Sequence, residues 1–140
     1  MTAGFVLPPG GGVELGAAAT RPTVKIGPHA GSERIGLLES EIPPGGGFPS
    51  HIHDGHDEAF YVLEGTVEYR LDDTWHVASA GSTVFIPAGH VHAFRNAGDR
   101  AARHLAIGSP ADAMTMIEQL VAAPDRTVEI LDRHGSRLVE

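Results

Sequence analysis

The sequence predicts an all-β domain, an antiparallel sandwich or barrel with one or two short helices near its C-terminal end. Three observations carry that prediction. Eighteen Gly and ten Pro in 140 residues interrupt the chain so often that its strands must be short, and many short strands between Gly/Pro corners build sandwiches and barrels. From residue 58 onward, apolar and polar residues alternate with the period of two that marks half-buried strands. After Ser109 the period lengthens to that of a helix. The chain reads as a single domain, 1–140, long enough to bury roughly two-thirds of its unfolded surface.

The elements follow in order. Residues 4–7 and 13–15 read as short strands in a Gly/Pro/Ala-rich lead, and PPGGG, at 8–12 and again at 43–47, reads as a turn both times. Strands at 23–27 and 33–42 flank a GPHAGS turn. In the next strand Glu58, Phe60 and Val62 share one face and Ala59, Tyr61 and Leu63 the other, until Gly65 breaks the run. Residues 66–72 alternate most cleanly, with Val67, Tyr69 and Leu71 to one side and Thr66, Glu68, Arg70 and Asp72 to the other. Strands at 74–78, 82–87, 90–96 and 101–108 complete the set. Ser109 as N-cap, Pro110 at the first helical position and Asp112 at the third predict a helix over about 111–122. Its apolar stripe is Met114, Ile117, Leu120 and Val121, and Pro124 lies beyond its end. Residues 125–135 read as a second short helix closed by Gly135, with a strand as the alternative.

Composition excludes several function classes. The chain has no cysteine, so disulfides and thiolate metal sites are out, which fits a reducing compartment. Eighteen acids against ten bases give a net charge of −8, and an acidic surface repels phosphate backbones, so nucleic acid is not an expected partner. No apolar run is long enough to span a membrane, and the first apolar run stops at Pro8 and Pro9 without a basic segment before it. The expectation is a cytoplasmic protein.

The chemistry concentrates at SHIHDGHDEAFYVLEG, 50–65. His51 and His53 are two apart in an extended segment, so both imidazoles point the same way, and Glu58 opens the next inward face. A carboxylate at the start of an apolar face is costly to bury unless it is paired or bound to a cation. Two imidazoles and a carboxylate converging on one spot supply a cation site. Downstream, His92 and Phe94 share a face of the strand that follows the corner at Pro87 and Gly89, and His92 adds a third nitrogen if that strand pairs near the first. The plain alternative is a histidine-rich solvated loop. His56, between Asp54 and Asp57, reads as a loop residue or as a substitute for Glu58 in a four-histidine site. His90 reads as rim, and His29, His76 and His134 as surface. His104 alternates with Ala106 and either lines the cavity as an acid/base or substrate contact or simply packs.

Gly45-x5-His51-x-His53-x4-Glu58-x6-Gly65 and Gly81-x5-Pro87-x-Gly89-x2-His92-x3-Asn96 match, in order, the two motifs of the cupins. The sequence resembles that family over 45–96. The resemblance implies a jelly-roll-like antiparallel β-barrel with its motifs on facing strands, and one divalent transition metal bound inside by His51, His53, Glu58 and His92. Three neutral imidazoles and one carboxylate leave one net positive charge on such an ion and suit zinc, iron, nickel or manganese. Phe48, Phe60, Val62, Tyr69, Phe85 and Phe94 read as core or pocket wall, with Phe48, Phe60, Val62, Tyr69 and Phe94 assigned to the substrate pocket. Tyr61 and Leu63 need cover from a second layer or a partner copy, and since cupins often dimerise the expectation is a homodimer.

Three functions compete. The first is a metalloenzyme acting on a small, largely apolar substrate, with the metal as Lewis acid and Glu58 and His104 as catalytic side chains. The EAFYVLEG strand and the appended helices are similar to small quercetin-dioxygenase-like cupins, and some single-domain relatives are polyketide cyclases. That resemblance implies an enolisable or phenolic, polyketide- or flavonol-like substrate and either oxygenation or cyclisation. The second is a non-catalytic sensor or carrier of a metal-chelating small molecule. The third is a sugar isomerase or epimerase. It ranks last because the inward positions Phe60, Val62, Val67, Leu71 and Phe94 are apolar, with Tyr69 the exception.

Overall fold

The computed structural model describes residues 2–16 and 20–140. Among these residues, eleven strands form two antiparallel sheets. In chain order they are β1 (Val13–Glu14), β2 (Arg21–Ile26), β3 (Gly36–Ile42), β4 (Gly47–His53), β5 (Asp57–Glu64), β6 (Thr66–Leu71), β7 (Thr74–Ser79), β8 (Thr83–Ile86), β9 (His92–Arg95), β10 (Ala102–Ser109) and β11 (Ser136–Leu138). One sheet runs β1-β2-β3-β10-β5-β8 and the other β11-β4-β9-β6-β7. Two helices, α1 (Ala113–Ala122) and α2 (Thr127–Arg133), lie between β10 and β11.

The alternation in the sequence becomes the core between the sheets. Val24, Leu38, Ile42, Phe60 and Val62 of the first sheet meet Val67, Tyr69 and Ala78 of the second, all buried. Each large side chain so placed contributes about 1.5–3 kcal/mol of transfer free energy. Met114 of α1 reaches into this core, while Met116 of α1 and Ile130 and Leu131 of α2 form a second, smaller cluster. Close approach of α1 depends on the absence of a side chain at Gly108, where a Cβ would lie 2.8 Å from the Ala113 Cβ.

Several expectations change. Residues 4–7 form no strand; Phe5, Val6 and Leu7 are exposed and have no partner strand. Ser109 does not cap α1, because it is still the last residue of β10, paired with Asp57; Asp112 occupies the N-cap without a side-chain cap bond. Residues 125–135 resolve as a short 3-10 turn and α2, and Gly135 (φ 67°) turns the chain into β11, a strand not anticipated from sequence. Phe85 is not core: Val84 and Ile86 point inward and Phe85 outward at 61% exposure. His134 is not a plain surface residue, since it is half-buried and bonds Gln119 Oε1 at 2.8 Å.

Candidate metal centre

β4 and β9 are hydrogen-bonded neighbours, and their register sets His51 directly across from His92. The approach needs glycine at 47, since a Cβ there would fall 2.2 Å from the Phe94 carbonyl oxygen. The loops are fixed by the motif's other residues. Buried Asn96 donates from Nδ2 to the Ile42 and Arg100 carbonyls (2.9 and 2.7 Å), and the Gly89 N–H donates to the His53 carbonyl at 2.8 Å. His51, His53 and His92 therefore come from adjacent strands of one sheet, and only Glu58, on β5, comes from the facing sheet. The motifs are not simply opposed across the barrel, as the resemblance implied.

All three imidazoles are almost fully buried, and their rings cluster with centroids 4.0–5.0 Å apart. In each the Nδ1 meets an oxygen: the Pro49 carbonyl for His51 (2.7 Å), the Ser136 hydroxyl for His53 (2.6 Å) and the His90 carbonyl for His92 (3.0 Å). A carbonyl only accepts, so His51 and His92 carry hydrogen on Nδ1. The Ser136 O–H has the His134 carbonyl to donate to at 3.4 Å, which leaves its oxygen to accept from His53. Nε2 is then the free nitrogen of each ring, the arrangement that orients histidine towards a metal.

The centre fits a cation. Nε2 of His53 and of His92 are sealed from solvent without a hydrogen-bond partner, although unpaired buried polar atoms are rare. They face Glu58: His53 Nε2 lies 3.4 Å from Oε1 and His92 Nε2 2.9 Å from Oε2, the latter close but not aligned as a hydrogen bond. One ligand atom from each of His51, His53, Glu58 and His92 falls within 4.8 Å of every other, close to the span of two metal–ligand bonds of roughly 2.0–2.2 Å each. A divalent ion there would satisfy both orphaned nitrogens.

The electrostatics favour a neutral His51 and an ionised Glu58, while the metal-free His92 is drawn towards protonation by that carboxylate. Burial, aided by the neighbouring His92 and His53, lowers His51 to about 3, so its ring is neutral and able to ligate. Burial alone would raise Glu58, but the His53 and His92 rings hold it well below the usual carboxylate range. At His92 burial lowers the pKa, yet the adjacent Glu58 carboxylate outweighs it and the net shift is upward.

The other expected residues fall into place around this centre. His56 is buried rather than solvated, but its Nε2 meets Oδ1 of Asp112, the residue that precedes α1, at 3.2 Å and it stays outside the converging group. A cavity of about 400 Å³ opens beside the ligands, walled by Phe48, Phe60 and Phe94 and closed by Ile117, Leu120 and Leu131 of the helices. Val62 and Tyr69 lie in the core behind that wall rather than on it. His104 and Ser40 line the same cavity. Sequence reasoning missed Ser136, the hydroxyl partner of His53, because it is 83 residues away in a three-residue strand. It also missed the helices as cavity wall, although their apolar stripe was visible.

Among the described residues, no helix is long and apolar enough to cross a membrane. Residues 38–108 match the family described as Cupin domain. Protein SchB of Streptomyces halstedii is 39% identical over 62 residues, 44% of this chain and 45% of that protein. Polyketide synthase CurC of Streptomyces cyaneus is 32% identical over 80 residues, 57% of this chain and 49% of that protein. The match thus spans less than half the length of either relative. Among solved structures, KdgF from Halomonas sp. superposes with a TM-score of 0.61 at 18% identity, over 69% of this chain and 84% of that one, a likeness of fold.

Proposed function

The chain belongs to the cupin family, and we propose that it is a metal-dependent catalyst acting on a small enolisable or phenolic molecule of the polyketide or flavonol kind. One observation carries this reading: a three-histidine, one-carboxylate cluster opens on an apolar cavity large enough for a small aromatic molecule. The name of CurC, a polyketide synthase, supports the substrate class. A divalent ion held by His51, His53, Glu58 and His92 supplies Lewis acidity to adjacent substrate oxygens.

The chain's own residues do the rest. Phe48, Phe60 and Phe94 hold the flat ligand, and the helices keep water from it. Glu58 is the carboxylate at the centre, and it would take a proton from an acidic C–H or phenol O–H on releasing the ion and the two rings that hold it ionised. The homodimer belongs to the proposal too. Phe85, Ala59 and Ile107 form one cross-strand row on the outer face of the β8-β5-β10 sheet, beside Tyr61, with Phe85, Ile107 and Tyr61 substantially exposed. A monomer in sedimentation at micromolar concentration would remove that part.

The test is elemental analysis of protein purified without added metal or affinity tag, followed by incubation with quercetin and with acetylacetone under air. Oxygen uptake identifies a dioxygenase, conversion without uptake identifies cyclase-type chemistry, and binding without conversion identifies a carrier or sensor. Failure of the metal-loaded protein to bind either compound refutes the substrate class.

A further inference from the structure

The cavity is polar at two places, and only one of them is the metal centre. His104 pairs with Ser40 across β10 and β3, both are buried, and both line the cavity. On the other side of β10, Glu58 is opposite Gly108, four residues further along than His104. At about 3.3 Å per residue this sets the backbone of His104 roughly 13 Å along the strand from the Glu58 level, and both side chains lean into the one cavity. Between the two levels lie the rings of Phe60 and Phe94, each centred 5.0 Å from the His104 ring.

The orientation of His104 follows from its one partner. Tyr69 Oη lies 2.7 Å from His104 Nδ1, joining the two sheets inside the core. Tyr69 is fully buried and its hydroxyl has no other partner among the described residues. Were His104 the donor, the phenolic proton would be orphaned in the core, which costs about 1–3 kcal/mol. The tyrosine therefore donates, Nδ1 accepts, and the ring hydrogen sits on Nε2. No protein group among the described residues accepts from that N–H, but His104 lines the cavity and its Nε2 is not sealed from solvent. Water or a ligand can therefore accept there, as nothing can from the Tyr69 hydroxyl. The Ser40 hydroxyl makes no side-chain hydrogen bond either.

We propose that His104 and Ser40 form a second, oxygen-binding subsite deep in the cavity, with Tyr69 holding His104 as the Nε2–H tautomer, for a ligand long enough to reach both it and the metal centre. The inference rests on the metal-chelating reading above and deepens it. The ligand chelates with two oxygens at one end and carries a further acceptor oxygen towards the other. His104 binds that oxygen, and Tyr69 is a positioning residue that acts through His104.

The test compares two flavonols on zinc-loaded protein: quercetin, and galangin, which is quercetin without its two distal-ring hydroxyls. The parent binds quercetin about fivefold to tenfold more tightly than galangin, the worth of one buried hydrogen bond. In His104→Phe this preference disappears while zinc content holds, in Tyr69→Phe it shrinks, and in His104→Gln, which keeps an N–H, it persists. Equal binding of the two flavonols by the parent, or a preference undiminished in His104→Phe, overturns the subsite. If neither flavonol binds, the chelating reading fails first. Nitrogen NMR of histidine-labelled, metal-free protein then decides the subsite alone: an Nε2–H signal for His104 that loses its tautomer in Tyr69→Phe supports it, and an Nδ1–H signal overturns it.

Discussion

Replacing Ser136 by alanine tests whether the hydroxyl behind His53 helps to hold the metal. His53 and Ser136 are both nearly fully buried and 2.6 Å apart. Without the hydroxyl, metal-free His53 can shift its hydrogen to Nε2, which then points at Glu58 Oε1, 3.4 Å away. Binding a cation through Nε2 requires the hydrogen back on Nδ1, where nothing in the variant accepts it. An orphaned buried N–H costs about 1–3 kcal/mol, and loss of such an outer partner lowers metal affinity about 10- to 100-fold. The two estimates agree, since tenfold is about 1.4 kcal/mol. Competition with a chelating dye at fixed pH measures the affinity, and urea unfolding of the metal-free protein measures the fold. Arg137→Ala is the control: Arg137 lies on the same strand but pairs with exposed Asp54 at 3.0 Å, and its loss leaves zinc affinity within about twofold. Affinity in Ser136→Ala within twofold of the parent, or an equal loss in Arg137→Ala, refutes the reasoning.

Three further outcomes are expected. His53→Ala abolishes stoichiometric metal while far-UV circular dichroism stays that of a β-sandwich; full metal in elemental analysis contradicts the ligand assignment. Glu58→Gln lowers metal affinity by a smaller factor than His53→Ala, because the amide oxygen still ligates; parent-like affinity and activity together mark the carboxylate as a bystander. Burial lowers His104 to about 4, with Glu58 opposing in part. The unfolded chain, titrating near 6.5, therefore binds more protons than the folded one between pH 6.5 and 4, and this residue's contribution to stability is lost as pH falls through that window. Metal-free His104→Phe loses less stability than the parent across it, by about 3 kcal/mol in urea unfolding; parallel stability–pH curves remove that assignment.

The ligand set was legible because strand parity is a strong constraint. His51, His53 and Glu58 sit at fixed offsets beside an apolar alternating run, and a slip of one residue would have turned them all outward. The same rule failed at Phe85, where Val84, Phe85 and Ile86 are apolar in succession and the pattern does not say which parity faces in. Helix α1 was legible from its stripe, but its start was not, because pairing with β5 keeps Ser109 in a strand against its capping preference. Ser136, Ser40 and the Tyr69–His104 bond had no local signal at all. Each is a contact between residues far apart in sequence, and three residues such as those of β11 are too few to show a period.

The pairing of β11 with β4 also has a temporal side. On the ribosome His53 is made 83 residues before Ser136; at 5–20 residues per second, that is roughly 4–17 s. Throughout that interval His53 lacks the hydroxyl that fixes its tautomer, whereas the carbonyls that orient His51 and His92 are only two residues from their rings. The full set of partners around the candidate metal centre is therefore complete only once synthesis has passed Ser136 and β11 has paired with β4.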